Sequence, residues 1–167
     1  MLEREIEHYL TDNTTILGKG LYFAGKQVTL PESRHRIDMV LLAKNGDFVL
    51  VEIKKGMAPA NTLFQIISYA TEFEANLNLD RVSRFIVYRH LEMLGKRYIL
   101  GWDWFLVGYR MALLKELHNI TKYSPPHLRM IIVAESFPDQ LLVTCKYMRN
   151  HGVDIDCKIL PYYLLEN

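Results

Sequence analysis

The sequence predicts an α/β protein, with a mixed central sheet and helices on both of its faces. Three observations lead there. Apolar residues recur at helical spacing in Leu2-Ile6-Tyr9-Leu10 and again in Leu63-Ile66-Ile67-Ala70-Phe73. Short unbroken apolar runs, Met39-Val40-Leu41-Leu42, Phe48-Val49-Leu50-Val51 and Ile131-Ile132-Val133-Ala134, read as buried strands. Strands first cluster and then alternate with helices, which suits an α/β/α arrangement.

The elements follow in order. A first helix is predicted over about residues 2–13, with Glu3 at the edge of its buried face and Glu5 and Glu7 more exposed. A strand covers about 21–30, and Pro31-Glu32-Ser33 turns the chain. Strands at about 36–43 and 48–54 flank Lys44-Asn45-Gly46-Asp47, where Asn-Gly is a strong hairpin signal. Met57-Ala58-Pro59-Ala60 leads into a helix over about 61–76. Further helices are expected at about 80–94 and 102–119, as a helical insertion over about 80–127. Ser124-Pro125-Pro126 breaks the chain before a strand at about 129–135. Pro138 opens a helix that runs to Asn150, Gly152 ends it, and a last strand covers about 153–160.

Composition bounds the rest. The chain has 167 residues, 50% of them hydrophobic, enough for one domain with a sizeable core. The formal net charge is +1, which excludes a broadly basic nucleic-acid coat. Cys145 and Cys157 lack CxxC spacing, and the six histidines form no zinc pattern, so both thiols are expected in the core. Met1-Leu2-Glu3-Arg4-Glu5 is charged at once, unlike a signal peptide. The most apolar stretch, Tyr98 to Leu114, is interrupted by Asp103 and Arg110. A cytoplasmic protein with no membrane partner is the expectation.

One constellation carries chemistry. Asp38 heads one predicted strand, and Glu52 and Lys54 stand fourteen and sixteen positions later at the tail of the next. Charges at the ends of buried strands cost free energy unless they are paired or coordinate something. Two carboxylates and a lysine suit a magnesium ion and a phosphodiester. The i, i+2 spacing puts Glu52 and Lys54 on one face. A two-residue Asn45-Gly46 loop, however, would pair Asp38 with Ile53 and turn Asp38 away. The chemistry therefore requires an odd-length loop or a β-bulge. Gln65 and Tyr69, four apart, share a face of the following helix and could face the same site.

In this order, Glu3, Gln27-Val28-Thr29-Leu30, Arg36-Ile37-Asp38, Val51-Glu52-Ile53-Lys54-Lys55-Gly56, Gln65 and Tyr69 resemble the PD-(D/E)XK nuclease superfamily. Within it, the pattern is most similar to the catalytic domain of the NucS/EndoMS-type DNA endonucleases. The resemblance covers about residues 1–76 and resumes at Arg129–Ile159. His35 departs from the glycine common in the family, and no counterpart of the NucS N-terminal DNA-binding domain is expected within these residues. The resemblance implies a restriction-endonuclease-like core. It implies that Asp38, Glu52 and the Ile53 carbonyl hold Mg²⁺ or Mn²⁺ and that Lys54 positions the attacking water. Gln65 would orient Lys54 or the water, and Glu3 would help hold Lys54 or a second metal. DNA contacts are expected from Arg34, His35, Arg36, Lys55 and Tyr69.

The resulting expectation is a metal-dependent DNA endonuclease. A nuclease acting on RNA or a small nucleotide, or a non-catalytic nucleic-acid-binding module of the same fold, is the alternative. Tyr88, Trp102, Trp104, Phe105 and Tyr109 make the insertion aromatic. That segment reads as two further helices packed on the sheet, or as the face of a homodimer. Arg81, Arg84, Arg89, Lys96 and Arg97 give it a second potential contact with DNA.

Overall fold

A computed structural model describes residues 2–30, 32–43, 47–75 and 127–161. The helices expected at 80–94 and 102–119, the aromatic cluster and the arginines of the insertion lie outside the described residues. Among the described residues the elements are α1 (Glu3–Asp12), β1 (Leu21–Thr29), β2 (Arg36–Ala43), β3 (Phe48–Ile53), α2 (Thr62–Ala75), β4 (Leu128–Ala134), α3 (Asp139–Asn150) and β5 (Ile155–Ile159), with a 3-10 turn at Thr14–Ile16. Each lies within two residues of the bounds expected from the sequence.

The strands form one sheet in the order β1-β2-β3-β4-β5. The first three run antiparallel, and β3–β4 and β4–β5 are parallel. Parallel neighbours cannot be joined by a tight turn, so β4 reaches β5 through α3. The helices divide between the faces. Ile6 and Leu10 of α1 pack with Met39, Leu41, Val49, Val51, Ile53, Ile131 and Val133. On the other face, Ile66, Ala70 and Phe73 of α2 and Leu141 and Cys145 of α3 pack with Val40, Phe48, Leu50 and Ile132. β3 sits at the centre and is buried along its whole length, as its unbroken apolar run requires.

α3 ends as Gly152 predicts. Gly152 has φ of 85°, a left-handed conformation that suits glycine. Its N–H bonds to the Arg149 carbonyl at 3.1 Å, and Val153 N–H bonds to the Met148 carbonyl at 3.0 Å. Together these close the terminal carbonyls of the helix. Cys145 is buried and Cys157 half-buried, with their sulfurs 3.5 Å apart as free thiols.

The β2–β3 register settles the loop question. Met39 pairs with Val51 and Leu42 with Phe48. Ala43 N–H donates to the Asp47 carbonyl at 2.8 Å. The connection thus spans the odd number of residues between 43 and 47, and the same register, carried one residue past its last pair, would set Asp38 opposite Glu52. Directly opposed residues project to one face.

Candidate active site

The site forms where the central strands part. Beyond Met39–Val51, β2 continues along β1, with Ile37 opposite Val28, while β3 continues along β4, with Ile53 opposite Val133. Continued β2–β3 pairing would give the Ile53 N–H a main-chain acceptor near Ile37. Instead, Asp38 Oδ2 accepts it at 2.8 Å. The next amide, Lys54 N–H, points the other way, to the Val133 carbonyl at 2.9 Å. In an extended strand, the N–H and C=O of one residue point to the same side. The Ile53 carbonyl therefore projects into the fork beside Asp38.

Glu52 takes the next position after Leu50 on the α2 face, and its neighbours on the strand leave it 1% exposed. Lys54 Nζ bonds to its Oε1 at 2.5 Å. Its other oxygen, Oε2, is buried with no hydrogen-bond partner. An unsatisfied carboxylate oxygen in a dry site is costly. Burial, together with the nearby Asp38 charge, raises the Glu52 carboxyl to about 7. Burial also raises Asp38, against the lowering pull of the Ile53 N–H, the Lys54 ammonium and the Gln27 amide. For Lys54, burial disfavours the charge, but the Glu52 hydrogen bond and the surrounding carboxylates outweigh it and raise its pKa. Lys54 therefore stays an ammonium.

Two further residues belong to the cluster that sequence reasoning did not place there. Glu7, expected to be exposed, is 5% exposed. It follows Ile6 and precedes Leu10 by three on α1, so it borders the buried stripe, and that spacing was the available signal. Gln27, read only as part of a strand, donates from Nε2 to Asp38 Oδ1 at 3.2 Å and to Glu7 Oε1 at 2.5 Å. Its position opposite Asp38 appears only once β1 and β2 are paired. Burial raises the Glu7 carboxyl, partly offset by the Gln27 hydrogen bond.

The remaining candidates sit around this centre. Glu3 is exposed at the rim, and its Oε1 accepts the Lys55 N–H at 3.0 Å, so α1 is clasped to the exit of β3. Its charge adds to the repulsion felt by Asp38 and Glu52. Gln65 donates to the Tyr69 hydroxyl one turn along its own helix, at 2.7 Å. Tyr69 is 7% exposed and packs in the core under the His35 ring, with centroids 5.6 Å apart. Tyr69, expected among the DNA contacts, thus lies mostly buried, where it accepts from Gln65 and sits against His35. Arg34, His35, Arg36 and Lys55 are exposed. Arg34 adopts a left-handed φ of 62° in a turn whose Glu32 and Ser33 N–H groups bond to the Glu72 carboxylate of α2.

The donor set suits a hard cation. Among the described residues, no three His, Cys, Asp or Glu side chains converge as a metal cluster. The available oxygens are those of Asp38, the orphaned Glu52 Oε2 and the Ile53 carbonyl, an all-oxygen set of the kind Mg²⁺ uses while it retains several waters.

No protein-family model matches this chain, and no curated protein sequence does. Two solved structures share its fold. One is described as the crystal structure of a repair endonuclease from Pyrococcus abyssi. It is 14% identical with a TM-score of 0.56, and the match covers 96% of this chain and 47% of that one. The other, a complex of EndoMS with double-stranded DNA, is 13% identical with a TM-score of 0.50, covering 93% of this chain and 44% of that one. This chain therefore spans less than half the length of either. Among the described residues, no helix is long and apolar enough to cross a membrane.

Proposed function

We propose that this chain is a metal-dependent endonuclease of the PD-(D/E)XK type that hydrolyses phosphodiester bonds in DNA. The observation that carries the reading is the buried, unpartnered Glu52 Oε2 beside Asp38 at the fork of β2 and β3. Asp38 and Glu52 meet there with one ammonium, and Glu7 is linked to Asp38 through Gln27; a divalent cation is the partner that such an excess of negative charge calls for. Asp38, Glu52 and the Ile53 carbonyl would hold Mg²⁺ or Mn²⁺. The ion would supply Lewis-acid stabilisation of charge on the phosphate and make a water molecule more acidic.

The side chains divide the remaining work. Lys54, an ammonium held by Glu52, donates hydrogen bonds toward the attacking water or the charged phosphate oxygens. Gln65, steadied by Tyr69, orients polar groups from the α2 side. Glu3 anchors the Lys55 backbone and so the exit of the strand that carries Glu52 and Lys54. Arg34, His35, Arg36 and Lys55 supply exposed positive or polar groups for the phosphate backbone. Likeness in fold to a repair endonuclease and to an endonuclease solved on duplex DNA supports DNA as the substrate.

A cleavage panel tests this reading. Single-stranded, duplex, flapped and mismatched DNA and matched RNA are incubated with the purified chain in Mg²⁺, Mn²⁺ or chelator. Cutting of DNA that depends on the divalent ion is expected. RNA cleavage alone would reassign the substrate. No cleavage and no metal-induced rise in melting temperature would overturn the reading.

A further inference from the structure

We infer that Gln27 is a positioning residue that sets the orientation of Asp38 and ties it to α1 through Glu7. The inference rests on the nuclease reading, which assigns Asp38 to the cation.

Gln27 lies opposite Asp38 in the β1–β2 register, where ordinary strand geometry would serve any residue. Its φ is instead 51°, in the left-handed region that non-glycine residues avoid. Formation of the strand does not call for that conformation. The side chain shows what accompanies it. One carboxamide nitrogen donates toward two carboxylates, Asp38 Oδ1 at 3.2 Å and Glu7 Oε1 at 2.5 Å. Carboxylates accept and do not donate, so the nitrogen end of the amide must face them, with one hydrogen for each. Glu7, on α1, is buried at 5% exposure to meet it.

The consequence falls on Asp38. Its Oδ2 accepts the Ile53 N–H and its Oδ1 accepts from Gln27. Each carboxylate oxygen has two acceptor sites, so each keeps one for a cation. With both oxygens tied, the plane of the carboxylate is fixed before any ion arrives. Without Gln27, only the Ile53 amide resists rotation of the carboxylate. Outer partners that orient a metal ligand in this way typically change metal affinity by about 10–100-fold when removed.

The test measures Mn²⁺ affinity of the whole chain by calorimetric titration, with melting temperature and DNA cleavage alongside. Gln27→Gly removes the carboxamide and suits the left-handed backbone. It should fold, melt below the wild type because Glu7 is left buried without its hydrogen-bond partner, and bind Mn²⁺ about 10–100-fold more weakly. Gln27→Asn also tolerates the left-handed backbone but is one methylene too short to bridge both acids, and the same loss is expected. Glu7→Gln keeps an oxygen to accept from Gln27 and should lose less affinity than either. Unaltered Mn²⁺ affinity in both Gln27 variants, in a protein that binds Mn²⁺ and cuts DNA, would overturn the inference and leave the nuclease reading intact. A wild-type chain that neither binds Mn²⁺ nor cuts DNA would overturn both.

Discussion

Two groups of charge in this molecule are built on opposite plans. Around β5, Asp154 faces Arg129 at 3.1 Å and His127 at 3.6 Å, and Asp156 faces Arg149 at 2.9 Å and Lys158 at 3.4 Å. These side chains are between 35% and 56% exposed. Each acid has two basic neighbours and water besides. At the fork of β2 and β3, Asp38 and Glu52 share one ammonium, Lys54, and the Glu52 side chain is 2% exposed. The first group is balanced and solvated, so it costs little and contributes little. The second is buried and short of positive charge, which no gain in folding stability explains. On the reading proposed above, the fork is where a cation would be held, whereas the β5 pairs are ordinary surface chemistry.

Breaking the fork should have the largest effect. Asp38→Ala and Glu52→Ala should each lower divalent-ion-dependent cleavage by roughly 10²–10³-fold or more, since each removes a ligand. Lys54→Ala should be comparably severe for cleavage yet leave Mn²⁺ binding in place, because an ammonium is not a ligand. Its removal lowers the local positive charge and favours the ion. Cleavage rates and Mn²⁺ titrations on the three variants check this. Equal loss of metal binding in Lys54→Ala would contradict the division of roles.

A smaller effect concerns stability without metal. The Glu52 carboxyl stands at about 7 in the folded chain, above its ordinary 4.5. A folded-state value raised in this way stabilises fully below 4.5 and loses that contribution as pH rises through about 7. The shift corresponds to roughly 3 kcal/mol across this window. Burial raises Asp38 and Glu7 in the same sense. In chelator, the protein should therefore melt higher at pH 5 than at pH 8. Glu52→Gln should flatten the curve and raise the melting temperature at pH 8. A melting temperature in chelator that climbs from pH 5 to pH 8 would refute the account.

The smallest effect is expected at β5. Arg149→Ala leaves Asp156 its Lys158 partner and should change stability by about 0–1 kcal/mol, with cleavage unaltered. Denaturant melts of this variant beside Glu52→Gln measure the contrast between the two groups directly.

Much of the site was legible along the chain because it lies within short strands. The i, i+2 spacing of Glu52 and Lys54 implies one shared face, and the demand that Asp38 join them implied an odd-length connection or a β-bulge, of which the β2–β3 register has the first. Gln65 and Tyr69 touch as their four-residue separation suggests. Glu3, expected to hold Lys54 or a second metal, lies at the rim of the site, and the hydrogen bond it makes to the Lys55 backbone follows from the docking of α1 and from no local spacing. Glu7 was misplaced because the edge of a helical stripe is ambiguous by about one residue, and only the docking of α1 decides which acid turns inward.

The sequence by itself determined what short-range geometry controls: the order of the described helices and strands, the glycine stop of α3, and the shared face of Glu52 and Lys54. Only the tertiary structure decided that β2 and β3 part after Met39–Val51, that Asp38 caps the freed Ile53 amide, and that Gln27 bridges Asp38 to Glu7. The reason is physical. Periodicity reports which residues face inward within one element, over a few residues at a time. Hydrogen bonds from residue 27 to residues 7 and 38 exist only after a helix has docked on a paired sheet, and no local spacing encodes that docking.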